Sequence, residues 1–353
     1  MAAITTHTIL TPRLHTAVRT SGPNEGIPVL MVHGNASSSI FWKEIMEKMP
    51  SGFRCIAPDL RGYGDTEDLL IDATKGLGDF VEDLISLIET LEIKQYHLIG
   101  HSLGGAIAQQ LIVRDSGRVR SATLVNPGSP FGFGGTKTID GQPCWPDFAG
   151  SGGGMVNPEF ARLIAEQDRS SDHPQASPRV VMNTFYWKPP FVPTWEEELL
   201  DGVLSEKIGP DRYPGDSVPS DNYPFAAPGK WGPVNAMSPK YVQDAVERFV
   251  YCANKPPILW IRGSHDQIVS DQSFFCMGTL GKLGLIPNYP GEELYPPQPM
   301  VSQMRHVLDR YAVDGGHYLE LVMEGTGHSP FIEQPTEFME YFSQHLLENN
   351  SKS

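Results

Sequence analysis

Three side chains in this sequence have the chemistry to activate an alcohol for attack on a carbonyl carbon: Ser102, Asp266 and His328. A serine hydroxyl is a weak nucleophile at neutral pH, so it needs a base such as an imidazole to take its proton. The imidazole in turn needs a carboxylate that fixes its tautomer and stabilises its protonated form. Since the three residues are far apart in the chain, the fold must bring them together.

Ser102 is the central residue of a Gly-x-Ser-x-Gly pattern that runs from Gly100 to Gly104. An apolar run precedes the pattern, and a helix-like run over 106–114 follows it. This order predicts a strand, a tight turn and a helix, with the serine exposed on the turn and glycines where side chains would collide. The first backbone amides of the helix, that of Leu103 above all, would then face a negatively charged oxygen.

The acid and the base each follow a predicted strand. Asp266 comes after a buried apolar run over 257–262, and His328 comes after the last predicted strand, 318–323. Parallel strands end at the same edge of a sheet, where open α/β sheets place their ligands. We therefore expect these groups to meet the serine at that edge. Asp271 lies five residues beyond Asp266 and remains a rival for the role of the acid.

The elements that must position these residues alternate between strands and helices, which is typical of a mostly parallel sheet flanked by helices. This rhythm stops at Pro127, where a long Gly-, Pro- and aromatic-rich segment begins. We predict an α/β fold in three parts along the chain. They are a first part of the core (1–128), a cap inserted over the sheet (129–255), and a second part of the core (256–353) with a smaller insertion near 281–311.

Composition narrows the functional classes. The chain has 353 residues, 40% of them hydrophobic, and a formal net charge of -15, which argues against nucleic acid and anionic membrane surfaces as partners. No run is long and apolar enough to span a membrane, and the N-terminus lacks the features of a signal peptide, so a cytoplasmic protein is expected. The four cysteines form no Cys-x-x-Cys pair, which argues against a zinc site or a disulfide framework.

Taken together, these motifs resemble an α/β-hydrolase-fold serine hydrolase of the esterase or lactonase kind. The resemblance covers roughly 25–128 and 255–350. It rests on five pieces in order: 33–35 (His-Gly-Asn), 59–64 (Asp-Leu-Arg-Gly-Tyr-Gly), 100–104 (Gly-His-Ser-Leu-Gly), 263–266 (Gly-Ser-His-Asp) and 327–330 (Gly-His-Ser-Pro).

The resemblance implies that the backbone amide of Asn35 is the second donor to the oxyanion, beside that of Leu103. Some relatives hold the acid after an earlier strand, but Asn126 at that place is not acidic. His33 and Trp187 are the expected substrate contacts. For His33, packing and hydrogen bonding near the site is an alternative, and for Trp187, ordinary cap packing.

The expected reaction is hydrolysis of a carboxylic ester or lactone, with a bulky apolar small molecule as substrate and no metal or organic cofactor. A serine at position 102 excludes haloalkane dehalogenases and epoxide hydrolases of this fold, which attack with a carboxylate. Carbon–carbon bond hydrolases, prolyl-type peptidases and perhydrolases use the same triad and remain alternatives. A non-catalytic ligand receptor on the same fold is an alternative of another class. We expect a monomer or homodimer.

Overall fold

A computed structural model describes residues 3–242 and 244–350 of the chain. Its main feature is an eight-stranded sheet in the order β1-β2-β4-β3-β5-β6-β7-β8. The strands are β1 (Thr5–Leu10), β2 (His15–Ser21), β3 (Ile27–Val32), β4 (Phe53–Pro58), β5 (Tyr96–His101), β6 (Val119–Val125), β7 (Ile258–Gly263) and β8 (Tyr318–Met323). The first hairpin pairs antiparallel with itself and with β4, and the remaining strand pairs are parallel.

The central strands are continuous apolar runs because both of their faces are covered. Every residue of β5 is buried, and so are all residues of β7 except Arg262. By contrast, β1 is a threonine-rich edge strand whose side chains are largely exposed. Parallel sheets that are covered on both faces show this sequence pattern. The continuous apolar runs therefore predicted the central strands.

Thirteen α-helices accompany the strands in the described part of the chain. They are α1 (Lys43–Lys48), α2 (Gly78–Thr90), α3 (Leu103–Asp115), α4 (Pro158–Ala165), α5 (Pro178–Phe185), α6 (Glu196–Leu204), α7 (Pro233–Ala236), α8 (Pro239–Val242), α9 (Ala245–Val250), α10 (Met277–Lys282), α11 (Met300–Val313), α12 (Pro330–Glu333) and α13 (Pro335–Glu348). Three short 3-10 helices lie at Ser39–Trp42, Ala73–Lys75 and Gly153–Met155.

Two hydrophobic layers lie on the two faces of the sheet. On one face, α2, α3, α9 and α11 pack through residues such as Leu84, Leu111 and Leu308. On the other face, α1, α12 and α13 form a layer that includes Phe331 and Phe338. Apolar residues of α4, α5 and α6 belong to this second layer, so these helices are packed into the core rather than loosely attached.

The chain between β6 and β7 contributes no strand to the main sheet within its described residues. It holds α4 to α9 and short strand pairs, at Thr136–Lys137 with Gln142–Pro143, Ile208–Gly209 with Tyr213–Pro214, and Ser217–Pro219 with Ala226–Pro228. The sequence pattern over 239–251 predicts one helix. The structure instead has the two short helices α8 and α9, on either side of residue 243, which lies outside the described part.

None of the helices described is both long enough and apolar enough to cross a membrane.

Candidate active site

Ser102 occupies a sharp turn between β5 and α3. Its backbone has φ 55° and ψ −118°, in a region that non-glycine residues seldom adopt. Its N–H donates to the Val125 carbonyl (3.0 Å), and its own carbonyl accepts from the Gly105 amide (3.0 Å). Surrounding hydrogen bonds therefore hold the strained residue in place, as is common at functional sites.

The two glycines of the motif allow this turn because of close backbone contacts. A Cβ on Gly100 would lie 2.2 Å from the carbonyl oxygen of Gly104. A Cβ on Gly104 would lie 2.2 Å from the carbonyl oxygen of Val32 at the end of β3. The helix can therefore start directly against the neighbouring strand only without side chains at these positions.

His328 and Asp266 form a buried pair on the loops that follow β8 and β7. The Nδ1 atom of His328 lies 2.8 Å from Oδ2 of Asp266, and their side chains are only 3% and 2% exposed. The other carboxylate oxygen, Oδ1, accepts from the amides of Ile268 (2.8 Å) and Val269 (3.0 Å). With Asp266 ionised, Nδ1 carries the proton, which leaves Nε2 of His328 to act as a base.

Asp271 has a different place in the structure. Its Oδ1 accepts from the amides of Val301 (2.8 Å) and Ser302 (3.0 Å), and its Oδ2 accepts from the Ser302 hydroxyl (2.6 Å). These contacts satisfy free amides at the start of α11. The geometry therefore favours Asp266 over Asp271 as the partner of His328.

Asn126 and His101, to which the sequence gave no catalytic role, hold the His328 loop. The Asn126 side chain donates to the His328 carbonyl (2.7 Å), and its Oδ1 accepts from the Gly263 amide (3.1 Å). It thus links the loops that carry acid and base. The only sequence signal was its place at the end of β6.

His101, next to the serine, also bonds to the His328 carbonyl through Nε2 (2.8 Å), and the two rings are 4.7 Å apart. Since burial lowers the pKa of His101 well below its usual value, this ring stays neutral and Nε2–H is the donor. The histidine loop is therefore held directly beside the serine turn.

Leu103 and Asn35 are the expected donors to the oxyanion. Leu103 is the first residue of α3, and no acceptor among the described residues takes up its N–H. The amide of Asn35 is likewise unused within the described chain. The Asn35 turn lies close to the serine. A Cβ on Gly34 would be only 3.0 Å from the Ser102 Cβ, so glycine at this position permits the close approach. Both amides are thus available near the nucleophile.

His33 and Trp187 are both buried, at 1% exposure each. The Nε2 atom of His33 accepts from the Leu60 amide (3.0 Å) and its Nδ1–H donates to the Gly34 carbonyl (2.8 Å). Burial lowers the pKa of His33, so the ring is neutral. Both ring nitrogens are hydrogen-bonded to the backbone. The Trp187 indole donates to Asn183 (3.2 Å), and Trp187 belongs to the second hydrophobic layer.

Among the described residues, no group of three or more His, Cys, Asp or Glu side chains is arranged to hold a metal ion. The cysteines at 55, 144, 252 and 276 are all free and buried.

Comparisons with known proteins agree with this architecture. The chain is 32% identical over 120 residues to a 2-hydroxymuconate semialdehyde hydrolase of Pseudomonas sp. (strain CF600), which is 33% of this chain and 41% of that relative. It is 31% identical over 117 residues to an uncharacterized carboxylesterase of Bacillus subtilis (strain 168), 33% of this chain and 38% of the relative. The matched stretches therefore span less than half of the length of these relatives.

A solved structure, that of the carboxylesterase CesB from Bacillus subtilis, resembles this fold with a TM-score of 0.57. The match covers 99% of this chain and 93% of that chain at 16% identity. At so low an identity it shows the fold alone, and it confirms the predicted α/β-hydrolase fold. The model of the family described as "Alpha/beta hydrolase family" matches residues 29–341. Because that match spans most of the sequence, the chain belongs to the alpha/beta hydrolase family.

Proposed function

We propose that the chain is a serine hydrolase that cleaves a carboxylic ester or lactone through an acyl-enzyme on Ser102. The observation that carries the proposal is the buried pair of His328 and Asp266, joined at 2.8 Å and held beside the strained serine turn. The carboxylate fixes the tautomer that leaves Nε2 free to take a proton. Burying a charged pair this deeply costs desolvation free energy, and such pairs are often found at functional sites.

Each step of the proposed reaction has a group to perform it. His328 takes the hydroxyl proton as Ser102 bonds to the carbonyl carbon, and the carbonyl oxygen becomes an anion. The amides of Leu103 and Asn35 stabilise that anion; one such donor is typically worth about 2.7–4 kcal/mol. The tetrahedral centre then breaks its bond to the alcohol oxygen, which receives the proton from His328. Water, deprotonated by the same histidine, releases the acid and restores the serine.

The cap supports a bulky and mainly apolar substrate. Tyr186, Trp187, Tyr213 and Val234 all belong to the hydrophobic layer that the cap shares with the core. A segment rich in such residues would offer a substrate a mainly apolar surface, as is usual for small-molecule sites. We expect rates on large hydrophobic esters to exceed those on acetyl esters, and equal rates would contradict this part of the proposal.

Carbon–carbon bond hydrolysis is the second candidate. It is favoured by the 32% identity to a protein named 2-hydroxymuconate semialdehyde hydrolase, although the match covers 33% of this chain. The same serine, histidine and oxyanion donors would serve it. A panel containing ring-fission diketones next to esters and lactones separates the two reactions.

Labelling with a fluorophosphonate tests the shared mechanism. The unmodified protein should be labelled on Ser102 and should hydrolyse members of the ester panel. Ser102→Ala should abolish labelling and lower turnover by about 10³-fold or more, with an unchanged melting temperature. Ser116→Ala, a control in the turn after α3, should behave as the parent. Labelling of another residue, or turnover that survives in Ser102→Ala, would contradict the proposal.

A further inference from the structure

Glu206 is a buried carboxyl group that the proposed mechanism does not use. It lies two residues after α6 and is only 4% exposed. The titratable groups that face it are the phenols of Tyr63 from the core and of Tyr186 and Tyr213 from the cap. No described Lys or Arg forms an ion pair with it. A buried carboxyl in such surroundings needs an explanation.

The residues on either side of Glu206 are hydrogen-bonded to the core. The Ser205 hydroxyl oxygen accepts from the Gly64 amide (3.0 Å), and the Lys207 amide donates to the Gly62 carbonyl (3.0 Å). The Lys207 ammonium is directed at the Gly64 carbonyl (3.4 Å) instead of at the neighbouring carboxyl. These contacts hold the backbone on both sides of Glu206 against the 62–64 loop and so restrict the position of its side chain.

The Glu206 carboxyl faces the turn that carries one of the expected oxyanion donors. Ala36, directly after Asn35, has φ 43°, a left-handed conformation that is unfavourable for alanine. Its carbonyl accepts from the Tyr186 hydroxyl (2.9 Å), and its N–H is near enough to the Glu206 carboxyl to affect the pKa of that group. The cap thus contacts both ends of the strained Ala36 residue.

Tyr63 connects Glu206 to the side chain of Asn35. Its hydroxyl donates to Asn35 Oδ1 (2.7 Å), so its single proton is already in use. Glu206 can therefore bond to Tyr63 only as a donor, which requires a protonated carboxyl. Its other oxygen can then accept from the Ala36 amide. Neither carboxyl oxygen of Glu206 has a full hydrogen bond within the described residues, so both remain free for these two contacts.

Burial agrees with this proton arrangement. It raises the pKa of Glu206 well above its usual value, and the nearby Tyr63 hydroxyl and Ala36 amide only partly offset this effect. An ionised Glu206 would also place a negative charge close to the oxygen that becomes an anion during the reaction. The two negative charges would repel each other strongly in so buried a site, where the dielectric constant is low.

We propose that Glu206 is a positioning residue for the oxyanion hole, through which the cap holds the Asn35–Ala36 turn in the geometry that catalysis needs. The proposal rests on the proposed serine hydrolase function. It adds that the site is complete only with the cap docked, and that the docked carboxyl must be uncharged. Activity then declines as the pH rises and Glu206 loses its proton.

Three variants test the role of Glu206. Glu206→Gln keeps an acceptor for Ala36 and a donor for Tyr63 and is always neutral, so its kcat at neutral pH should stay within about threefold of the parent. Glu206→Leu fills the space without either bond. It should lose about 10- to 100-fold in kcat with little change in KM, less than deleting an oxyanion donor outright. Glu197→Gln, at an exposed position on α6, is the matched control and should change neither value.

The pH profile separates positioning from mere packing. The parent should lose activity on the alkaline side, whereas Glu206→Gln should keep its plateau there. The three neighbouring phenols cannot mimic this effect, since burial raises their pKa values above the usual range. An alkaline decline that is identical in both proteins would overturn the proposal, even if Glu206→Leu fails to fold.

Infrared difference spectra provide a readout that does not need turnover. A carbonyl stretch of a buried protonated acid should be present in the parent near neutral pH and absent in Glu206→Gln. Absence of that band in the parent would overturn the neutral-carboxyl argument. A parent protein that shows the band but is not labelled at Ser102 would instead refute the serine hydrolase function.

Discussion

The imidazole of His328 depends on its neighbours for its chemistry. Asp266 selects the proton position on the ring, while Asn126 and His101 hold the loop that carries it, through the His328 carbonyl. A carboxylate this buried, with one oxygen on the ring and the other on two amides, has little freedom to move. At the scale of single residues, the site is therefore defined by hydrogen bonds that leave one nitrogen unoccupied.

Asp266→Asn should lower kcat by about 10⁴-fold, because the amide favours the wrong imidazole tautomer; comparable changes in serine proteases have this size. Fold and melting temperature should change little. Steady-state kinetics on the best ester of the panel will measure the effect.

Asp271→Asn is the matched control for this change. It removes the bond to the Ser302 hydroxyl at the start of α11, so we expect a stability loss of about 1 kcal/mol and near-normal kcat. If Asp271→Asn were the variant with the large loss of kcat, the assignment of the acid would have to be reversed.

At the scale of elements, the serine turn depends on how closely α3 approaches β3. Val32 and His33 both present carbonyl oxygens within 2.4 Å of where a Cβ on Gly104 would lie. Glycine inside a helix normally costs stability relative to alanine. Its presence near the start of α3 therefore reflects contact with the strand.

Gly104→Ala should destabilise the protein by at least about 1–3 kcal/mol, since backbone atoms must shift to admit the methyl group. Urea unfolding will measure the change in midpoint. Gly117→Ala is the control, because a Cβ there meets nothing within 4 Å and the backbone is not left-handed. It should be neutral or stabilising by about 0.4–1 kcal/mol. Equal effects of the two substitutions would contradict the close-approach argument.

The helices show how far local patterns predict elements. The apolar spacing over 335–347 predicts a closing amphipathic helix with Phe338, Tyr341, Phe342 and Leu346 on its apolar face. The helix is present as α13, but Tyr341 is 37% exposed. Short helices such as α5 and α6 were not predicted at all. Helices of eight or nine residues offer barely two turns of periodicity, and tertiary packing supplies most of their stability.

At the scale of the whole molecule, Glu333 connects the segment between β6 and β7 to the histidine loop. Its two oxygens accept from the amides of Lys188 in that segment (2.8 Å) and of Gly327 beside His328 (2.6 Å). Burial, with a smaller effect of the Asp266 charge, raises the pKa of Glu333 to about 7. This carboxyl therefore changes charge near neutral pH.

The sign of its effect on stability follows from the direction of this shift. Between the ordinary Glu pKa near 4.5 and about 7, the folded state binds the proton more tightly than the unfolded state. The contribution of Glu333 to stability is thus complete below about pH 4.5 and is lost as the pH rises to about 7. Glu333→Gln lacks this loss, although it also sacrifices one acceptor at all pH values.

We therefore expect the melting temperature of Glu333→Gln, relative to the parent, to increase steadily from pH 4.5 to 7. Thermal melts across this range measure the difference. Glu340→Gln, at an exposed position on α13, should give a constant difference. A relative melting temperature of Glu333→Gln that is flat or decreases with pH would show that its pKa is not raised.

The sequence by itself determined the features that depend on local pattern. Buried parallel strands read as apolar runs, the serine motif requires a tight strand–helix turn, and polar residues after strand ends mark the active edge of the sheet. Each of these signals spans only a few residues, so the fold, the serine and the histidine could be predicted without knowledge of long-range contacts.

Only the tertiary structure decided which groups meet across long sequence distances. It places Asp266 rather than Asp271 against His328, makes Asn126 a link between two loops, and brings Glu206, from the segment between β6 and β7, close to the Asn35–Ala36 turn. Neither candidate aspartate has a distinctive local pattern, and a lone glutamate after a short helix resembles a solvated surface residue. Their roles arise from burial and from partners elsewhere in the chain, which exist only once the chain has folded.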